Sequence, residues 1–304
     1  MSDVDAAYTL DHVIVFVRNL AATEHAIAER LGLLATSHAT HPGFGTCNAR
    51  IIFASEHLEL LAEAEPVELR ATRYGRLFLE RHAARGDGPA VYVFRTPAFD
   101  EVLAACTARG GFPGDRVIGA SRSEGVTRQW EAALMPGTEP VYLHPLLPTL
   151  GRGRERPPWE PGPHPLGASR IRGVVLATGD FEAAIELYRV QLGLAPDWRE
   201  EDTGAVRTAW YRLARTGQWV VLAEPRGGGH DGGLGRHVER VGDGIFGVML
   251  DISDLQRART ELARRRTAAH EVGWLRGLVA TDPEAAANLR LVLVPPDGIR
   301  PRGR

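Results

Sequence analysis

Two hydrophobic periods alternate along the chain. The run His12-Val-Ile-Val-Phe-Val is short and β-branched, as a strand requires. It gives way to Leu20, Ile27 and Leu31 at helical spacing, with Gly32 placed to stop the helix. The pattern then recurs: LDHVIVFVRNLAATEHAIAERLGLLA from Leu10 lies without gaps over IRGVVLATGDFEAAIELYRVQLGLAP from Ile171, with Leu31-Gly32-Leu33 in register with Leu192-Gly193-Leu194. Strands are predicted at Ala49 to Ala54 and His57 to Ala62 after the first copy, and at Val206 to Ala214 and Trp219 to Glu224 after the second. Weaker versions follow each copy. Ala90 to Thr96 leads into a helix from Phe99 to Arg109 and strands near Thr127 to Leu134 and Val141 to His144. Gly244 to Leu250 leads into a helix from Leu255 to Arg266 and strands near Trp274 to Ala280 and Leu289 to Val294. The prediction is an α+β chain of four βαβββ units.

Residues 148–167 are too rich in proline and glycine for a helix or a central strand, and they divide the chain into nearly equal parts. The expected organisation is an N-terminal domain over 1–147, a linker over 148–167 and a C-terminal domain over 168–304. The glycine-rich run from Gly227 to Gly233 lacks the Gly-Lys-Ser/Thr of a phosphate loop and reads as a connection between the third and fourth units. Arg264-Arg265-Arg266 reads as a solvated cap on its own helix.

Composition narrows the chemistry. The 36 basic residues nearly balance 38 acidic ones, and every basic residue is arginine. Schiff-base catalysis, a pyridoxal-phosphate lysine and a lysine-bearing nucleotide loop are therefore excluded. A net charge of −2 argues against a nucleic-acid partner. Cys47 and Cys106 cannot make a zinc site alone and do not suggest a disulfide framework. No apolar run approaches the roughly 20 residues needed to span a bilayer, and the acidic start does not look like a secretory signal, so the expectation is a cytoplasmic protein without a membrane partner.

Three segments carry a family resemblance: Leu10-Asp11-His12 opening the first strand, His41-Pro-Gly-Phe-Gly-Thr-Cys-Asn48, and Leu58-Glu59-Leu60-Leu61. Together they resemble the vicinal oxygen chelate superfamily, which includes glyoxalase I, extradiol dioxygenases and bleomycin-resistance proteins, and in particular its glyoxalase-like domains. The resemblance implies that paired βαβββ units form two curved mixed-sheet half-barrels, each enclosing a cavity. It also implies a divalent metal (Fe2+, Zn2+, Mn2+ or Ni2+) held by residues from the first and fourth strands. On that pattern His12 and Glu59 are metal ligands, with His144 as third ligand and His41 or His57 as substitutes. His41 and Glu59 are the candidate catalytic groups, and Phe44, Asn48, Arg128 and Trp130 the candidate substrate-binding residues. The repeat carries His12 onto Gly173 and Glu59 onto Val220, and the fourth unit offers Gly247 and Val292, so the second domain is expected to hold no metal. In two-domain extradiol dioxygenases the C-terminal half is instead the catalytic one.

The functions implied are a metal-dependent lyase, isomerase, epimerase or dioxygenase acting on a small oxygenated molecule. The alternatives are a metal-free, drug-sequestering binding protein that uses Trp130, Trp210, Trp219 and Trp274 as stacking surfaces, and a metal-independent enzyme with His41 or His144 as acid or base. His38 and His57 are assigned ordinary structural roles. Both a monomer and a homodimer are compatible with two complete sheets in one chain.

Overall fold

The computed structural model describes residues 8–135, 144–153, 160–200, 204–227 and 231–299. The first unit comprises β1 (Thr9–Phe16), α1 (Leu20–Leu31), β2 (Ser37–His41), β3 (Thr46–Ile52) and β4 (His57–Glu63). Two further helices, α2 (Pro66–Ala71) and α3 (Arg73–Arg85), precede a second unit of β5 (Gly88–Thr96), α4 (Phe99–Ala108), β6 (Asp115–Ser123), β7 (Val126–Leu134) and β8 (Thr149–Arg152). The third unit is β9 (Ala168–Ala177), α5 (Phe181–Leu192), β10 (Trp198–Glu200), β11 (Val206–Leu213) and β12 (Gln218–Pro225). After α6 (Leu234–Val241), the fourth is β13 (Gly244–Ile252), α7 (Leu255–Arg264), β14 (Ala269–Val272), β15 (Leu278–Thr281) and β16 (Leu291–Val294). The α+β architecture of four βαβββ units is as the periodicity predicts.

Two differences concern the second unit. Its last strand, β8, lies inside the stretch read as a linker, where it pairs parallel to β5 and antiparallel to β7. Thr149-Leu150-Gly-Arg is a short apolar segment whose strand character was hidden by the prolines and glycines around it. Of the strand expected at Val141 to His144, residues 141–143 lie outside the described residues, and His144 stands in the loop leading to β8. With β8 in place and β2 meeting β6 at Thr40↔Arg122, the first sheet closes as β1-β4-β3-β2-β6-β7-β8-β5. The first half is thus a closed barrel rather than a half-barrel. The second half is an open eight-stranded sheet, β10-β11-β12-β9-β13-β16-β15-β14.

The repeat extends to the helix ends. Asn19 and Asp180 cap α1 and α5 by accepting from the backbone N–H groups of Ala22 and Ala183, and Gly32 and Gly193 close them in the left-handed region at φ 64° and 71°. Val13, Val15, Leu58 and Leu60 of one sheet and Val174, Leu176, Val220 and Leu222 of the other belong to one continuous buried layer with α1, α4, α5 and α7. The halves are therefore packed together through apolar surface. Polar ties reinforce that packing. Arg265 Nη1 donates to the carbonyls of Ala28 (2.5 Å) and Glu29 (2.9 Å), and Thr267 Oγ1 donates to that of Arg30 (2.7 Å). Arg265 is thus not a solvated cap of its own helix: it caps the C-terminal end of α1 in the other half, where a cation complements the dipole.

The concave faces of the two sheets differ. In the second half Trp210, Trp219, Trp274, Phe246 and Met249 fill that face with apolar side chains, so Trp210, Trp219 and Trp274 are core residues. In the first half, α2 and α3 cover only part of the barrel with Leu69 and Phe78, and a cavity remains.

Candidate active site

The barrel of the first half encloses a cavity of about 360 Å³, lined by side chains from β1, β3, β4, β5, β7, the β2–β3 turn and α3. His12 and Ile14 enter from β1, and Glu59 and Leu61 from β4, as strand alternation predicts. Asp11 also faces the cavity, which alternation forbids. A β-bulge between Leu10 and His12 breaks the pleat and brings Asp11 and His12 to the same side.

That bulge sets the orientation of His12. Nδ1 lies 2.8 Å from Asp11 Oδ2, and Asp11 Oδ1 accepts from Arg95 Nη1 at 2.6 Å. With Nδ1 held by Asp11, Nε2 faces Glu59, whose Oε2 is 3.4 Å away. His41 is held in the same way: Nδ1 is hydrogen-bonded to Thr46 Oγ1 at 2.8 Å, and Nε2 lies 3.7 Å from Glu59 Oε1. Burial lowers the His41 pKa, outweighing the opposing effect of Glu59, so the ring stays neutral and its lone pair available. Asn48 Nδ2 donates to Glu59 Oε1 at 2.5 Å and lies 3.3 Å from His41 Nε2. The remaining Asn48 oxygen, Oδ1, is buried without a hydrogen-bond partner.

The His41–Asn48 segment accounts for much of this geometry. His41 ends β2 and pairs with Thr46 at the start of β3, so the intervening turn places His41, Thr46 and Asn48 in one cavity. Gly45 sits at φ 68°, and a Cβ there would come within 2.4 Å of Glu65 O and Leu69 N; only glycine lets α2 approach so closely. Phe44 from the same turn meets Trp130 at 5.2 Å and Tyr74 at 5.9 Å between ring centroids, making an aromatic wall. Burial and the charge of Glu59 raise the Tyr74 phenol's pKa, so it remains a donor.

The structure brings His12, His41, Phe44, Asn48, Glu59 and Trp130 together in this cavity. His144 is not among its lining residues. Its Nδ1 accepts from Leu146 N in the loop before β8, near Arg81 and Asp243. The strand expected to carry His144 inward is replaced at that place in the sheet by β8, which supplies Thr149 and Gly151 to the lining. Arg128 is exposed, on β7 beyond the cavity. Asp11, Thr46, Tyr74 and Arg95 were not singled out as site residues by sequence reasoning, and His57 was named only as a substitute ligand. The ring of His57 stacks on His12, with centroids 4.5 Å apart and planes at 16°.

Two donor sets therefore share His12. The potential donor atoms of Asp11, His12 and His57 lie within 4.8 Å of one another. However, imidazole lone pairs lie in the ring plane, so two stacked rings do not converge on one ion, and Asp11 is already engaged by Arg95 and by the Nδ1 of His12. His12, His41 and Glu59 present two Nε2 atoms and a carboxylate to a common space, with Asn48 Oδ1 beside it. We favour that set.

The repeat gives an internal comparison. Pairing registers place His12 opposite His57 and Ile14 opposite Glu59 in the first half, and Gly173 opposite Trp219 and Val175 opposite Val221 in the second. Glu59 thus corresponds to Val221, one residue beyond the Val220 that the ungapped repeat indicates; both are inert. The ion pair at the bulge persists with its charges exchanged: Arg172 and Asp251 occupy the places of Asp11 and Arg95, with Nε and Nη2 of Arg172 at 2.8 and 2.7 Å from the carboxylate.

The chain shares its fold over nearly its whole length with a variant of 4-hydroxymandelate synthase from Streptomyces coelicolor: 14% identity, 98% of this chain and 95% of that one, TM-score 0.67. A hypothetical protein from Staphylococcus aureus matches over 95% of this chain and 99% of that one, at 10% identity and TM-score 0.58. A fusion of a xylose isomerase-like TIM barrel with 4-hydroxyphenylpyruvate dioxygenase matches over 94% of this chain at 14% identity and TM-score 0.55, and this chain spans 49% of the fusion's length. No curated protein sequence matches. No helix among the described residues is long and apolar enough to cross a membrane. The glyoxalase-like domain model matches residues 10–192, which include the His41–Asn48 turn and strands β1 and β4 of the first unit, and by that match the chain belongs to the glyoxalase-like domain family of the vicinal oxygen chelate superfamily.

Proposed function

We propose that this protein is a metal-dependent enzyme of the vicinal oxygen chelate type, acting in the first-half cavity on a small oxygenated molecule that carries an apolar or aromatic part. One observation carries the reading. Nδ1 of His12 lies 2.8 Å from Asp11 Oδ2 and Nδ1 of His41 2.8 Å from Thr46 Oγ1, so Nε2 of each ring faces the Glu59 carboxylate, at 3.4 and 3.7 Å, with Asn48 Nδ2 beside His41. Two imidazoles and a carboxylate gathered in one buried space are the donor set that a divalent first-row cation takes. Asn48, a lining residue of the same cavity, leaves its buried Oδ1 without a partner.

His12, His41 and Glu59 would hold a divalent metal, which when bound supplies Lewis acidity toward two neighbouring substrate oxygens. Arg95 and Asp11 fix the tautomer and aim of His12, as Thr46 does for His41. Phe44, Trp130 and Tyr74 form the wall against which an apolar group packs and from which water is excluded. The Tyr74 hydroxyl, held protonated, can donate to a substrate oxygen. From β5 and β8 the second barrel unit offers Val93, Arg95, Thr149, Gly151 and Arg152 to the cavity, none of them a metal donor, and its lining carboxylate, Glu131, is paired with Arg116 and Arg152; His41 would supply the further donor.

The test is metal analysis of untagged protein by inductively coupled plasma mass spectrometry. About one iron, manganese, zinc or nickel per chain is expected, lost in His12→Ala, His41→Ala and Glu59→Gln and retained in His144→Ala. A folded protein that contains no metal and gains no thermal stability from any of these ions overturns the proposal.

A further inference from the structure

A larger cleft, of about 580 Å³, lies between the halves, away from the barrel cavity. One wall is the end of α3 and the start of β5, and the other is α6 with β13 and the segment preceding β16. Arginines from both walls meet in it. A Cβ built on Gly244 would lie 3.3 Å from Arg85 Nη1 and 3.7 Å from Arg81 Nη2, and one on Gly233 would lie 3.5 Å from Arg290 Nη2 and 3.6 Å from Arg236 Nη2. The four guanidiniums thus form two pairs. His237 stands close enough to Arg290 and Arg85 to be affected by their charge.

Carbonyls and acids beyond ion-pair distance are what these cations meet: Arg85 Nη1 donates to Asp243 O at 3.1 Å and Arg290 Nη1 to Gly232 O at 2.7 Å, while the charge of Asp243 acts on Arg85 and those of Asp282 and Asp231 on Arg290. Among the described residues, no carboxylate forms an ion pair with Arg81, Arg85, Arg236 or Arg290. Arg290 is 6% exposed, lies 4.1 Å over the ring of Phe246, and leaves Nε without a partner. Arg81 Nη2 and His237 Nε2 are also buried and unpartnered. The acids of the cleft are engaged elsewhere. Asp231 accepts from the backbone of Gly233 and Gly235, Asp87 from Arg18 N while also contacting His82, and Asp282, Glu271 and Glu284 face His270, Arg259 and Arg240. Burial lowers Arg81 to about 9 and Arg290 to about 10, the direction expected of cations held away from water.

We propose that this cleft binds a phosphate-bearing small molecule, with Arg81 and Arg85 from one half and Arg236, Arg290 and His237 from the other around the phosphate. A phosphate ester brings close to two negative charges and three terminal acceptors. That suits paired planar guanidiniums better than the single charge of a carboxylate. Phe246 supplies an apolar floor for the rest of the ligand.

Isothermal titration calorimetry of the full chain with inorganic pyrophosphate tests this. One saturable site per chain is expected, weakened at least tenfold in Arg236→Gln, an exposed position that leaves the core intact, and in Arg81→Gln. Arg128→Gln, at an exposed arginine of the other face, should bind as the parent does. Absence of saturable heat up to millimolar pyrophosphate overturns the proposal, as does unchanged affinity in both cleft variants with folding verified by circular dichroism. Citrate binding as tightly as pyrophosphate at matched ionic strength would overturn the preference for phosphate.

Discussion

Gln218 offers the sharpest test of how the halves are joined. Its side chain is fully buried at the start of β12 and reaches across to the first half. Oε1 accepts from Leu10 N at 3.0 Å, and Nε2 donates toward Leu10 O (3.1 Å), Ile171 O (3.1 Å) and Glu56 Oε1 (3.2 Å). Leu10 and Ile171 flank the two equivalent bulges of β1 and β9, so one amide serves backbone groups that the ladders leave unpaired there. Gln218→Met keeps the volume and removes every one of these bonds. The Leu10 N–H, left dry, costs about 1–3 kcal/mol, and weakened carbonyl pairing adds to that, giving a total of about 2–4 kcal/mol. Glu56 keeps Arg170 at 3.1 Å and adds little. Urea denaturation followed by far-ultraviolet circular dichroism should show one transition for both proteins, with the midpoint lowered and the slope unchanged in the variant. A loss below about 1 kcal/mol, or separate transitions for the halves in the parent protein, would refute the reasoning.

Two further outcomes follow from the same geometry. Asp11→Asn keeps an acceptor for His12 Nδ1 but removes the charge that fixes its tautomer; metal affinity measured by chelator competition should fall about 10–100-fold, as expected for an outer partner of a ligand, with the fold retained. His237 is lowered from 6.5 to about 4 by burial and by Arg290, Arg85 and Arg240. Its neutral form is thus preferred in the folded state, and its contribution to stability is complete above about pH 6.5 and lost as pH falls toward 4. Between pH 7 and 4, His237→Gln should therefore lose less stability than the parent, by up to about 3 kcal/mol in denaturant titrations.

The four units were legible because each begins with a strand and a helix whose periods differ, and because the 171–196 copy repeats the first without gaps. His12 and Glu59 were legible because strand alternation carries both inward. What escaped the sequence has local physical causes. The bulge at Leu10–His12 breaks alternation, which hid Asp11 and with it Arg95. β8 is four residues long and surrounded by glycine and proline, so the closing strand looked like linker and its role was assigned to Val141–His144. A one-residue difference in the loops moved the counterpart of Glu59 from Val220 to Val221. His41 was recognised as a candidate, but its convergence with His12 depends on the hairpin pairing of His41 with Thr46, which no spacing rule displays. The charge exchange between Asp11–Arg95 and Arg172–Asp251 shows the same limit: the pair is retained as structure in both halves, and only the first copy places its acid beside a histidine.

The different filling of the two concave faces has a spectroscopic consequence. Trp198, Trp210, Trp219 and Trp274 are locked in or against the interior of the second half, whereas Trp130, the one tryptophan of the first half among the described residues, stands in the cavity wall against Phe44. The emission difference between the parent protein and Trp130→Phe therefore isolates an indole in contact with the cavity contents. Occupancy of the cavity can be followed optically through that difference, without a labelled ligand, while the indoles packed in the second half provide an internal reference.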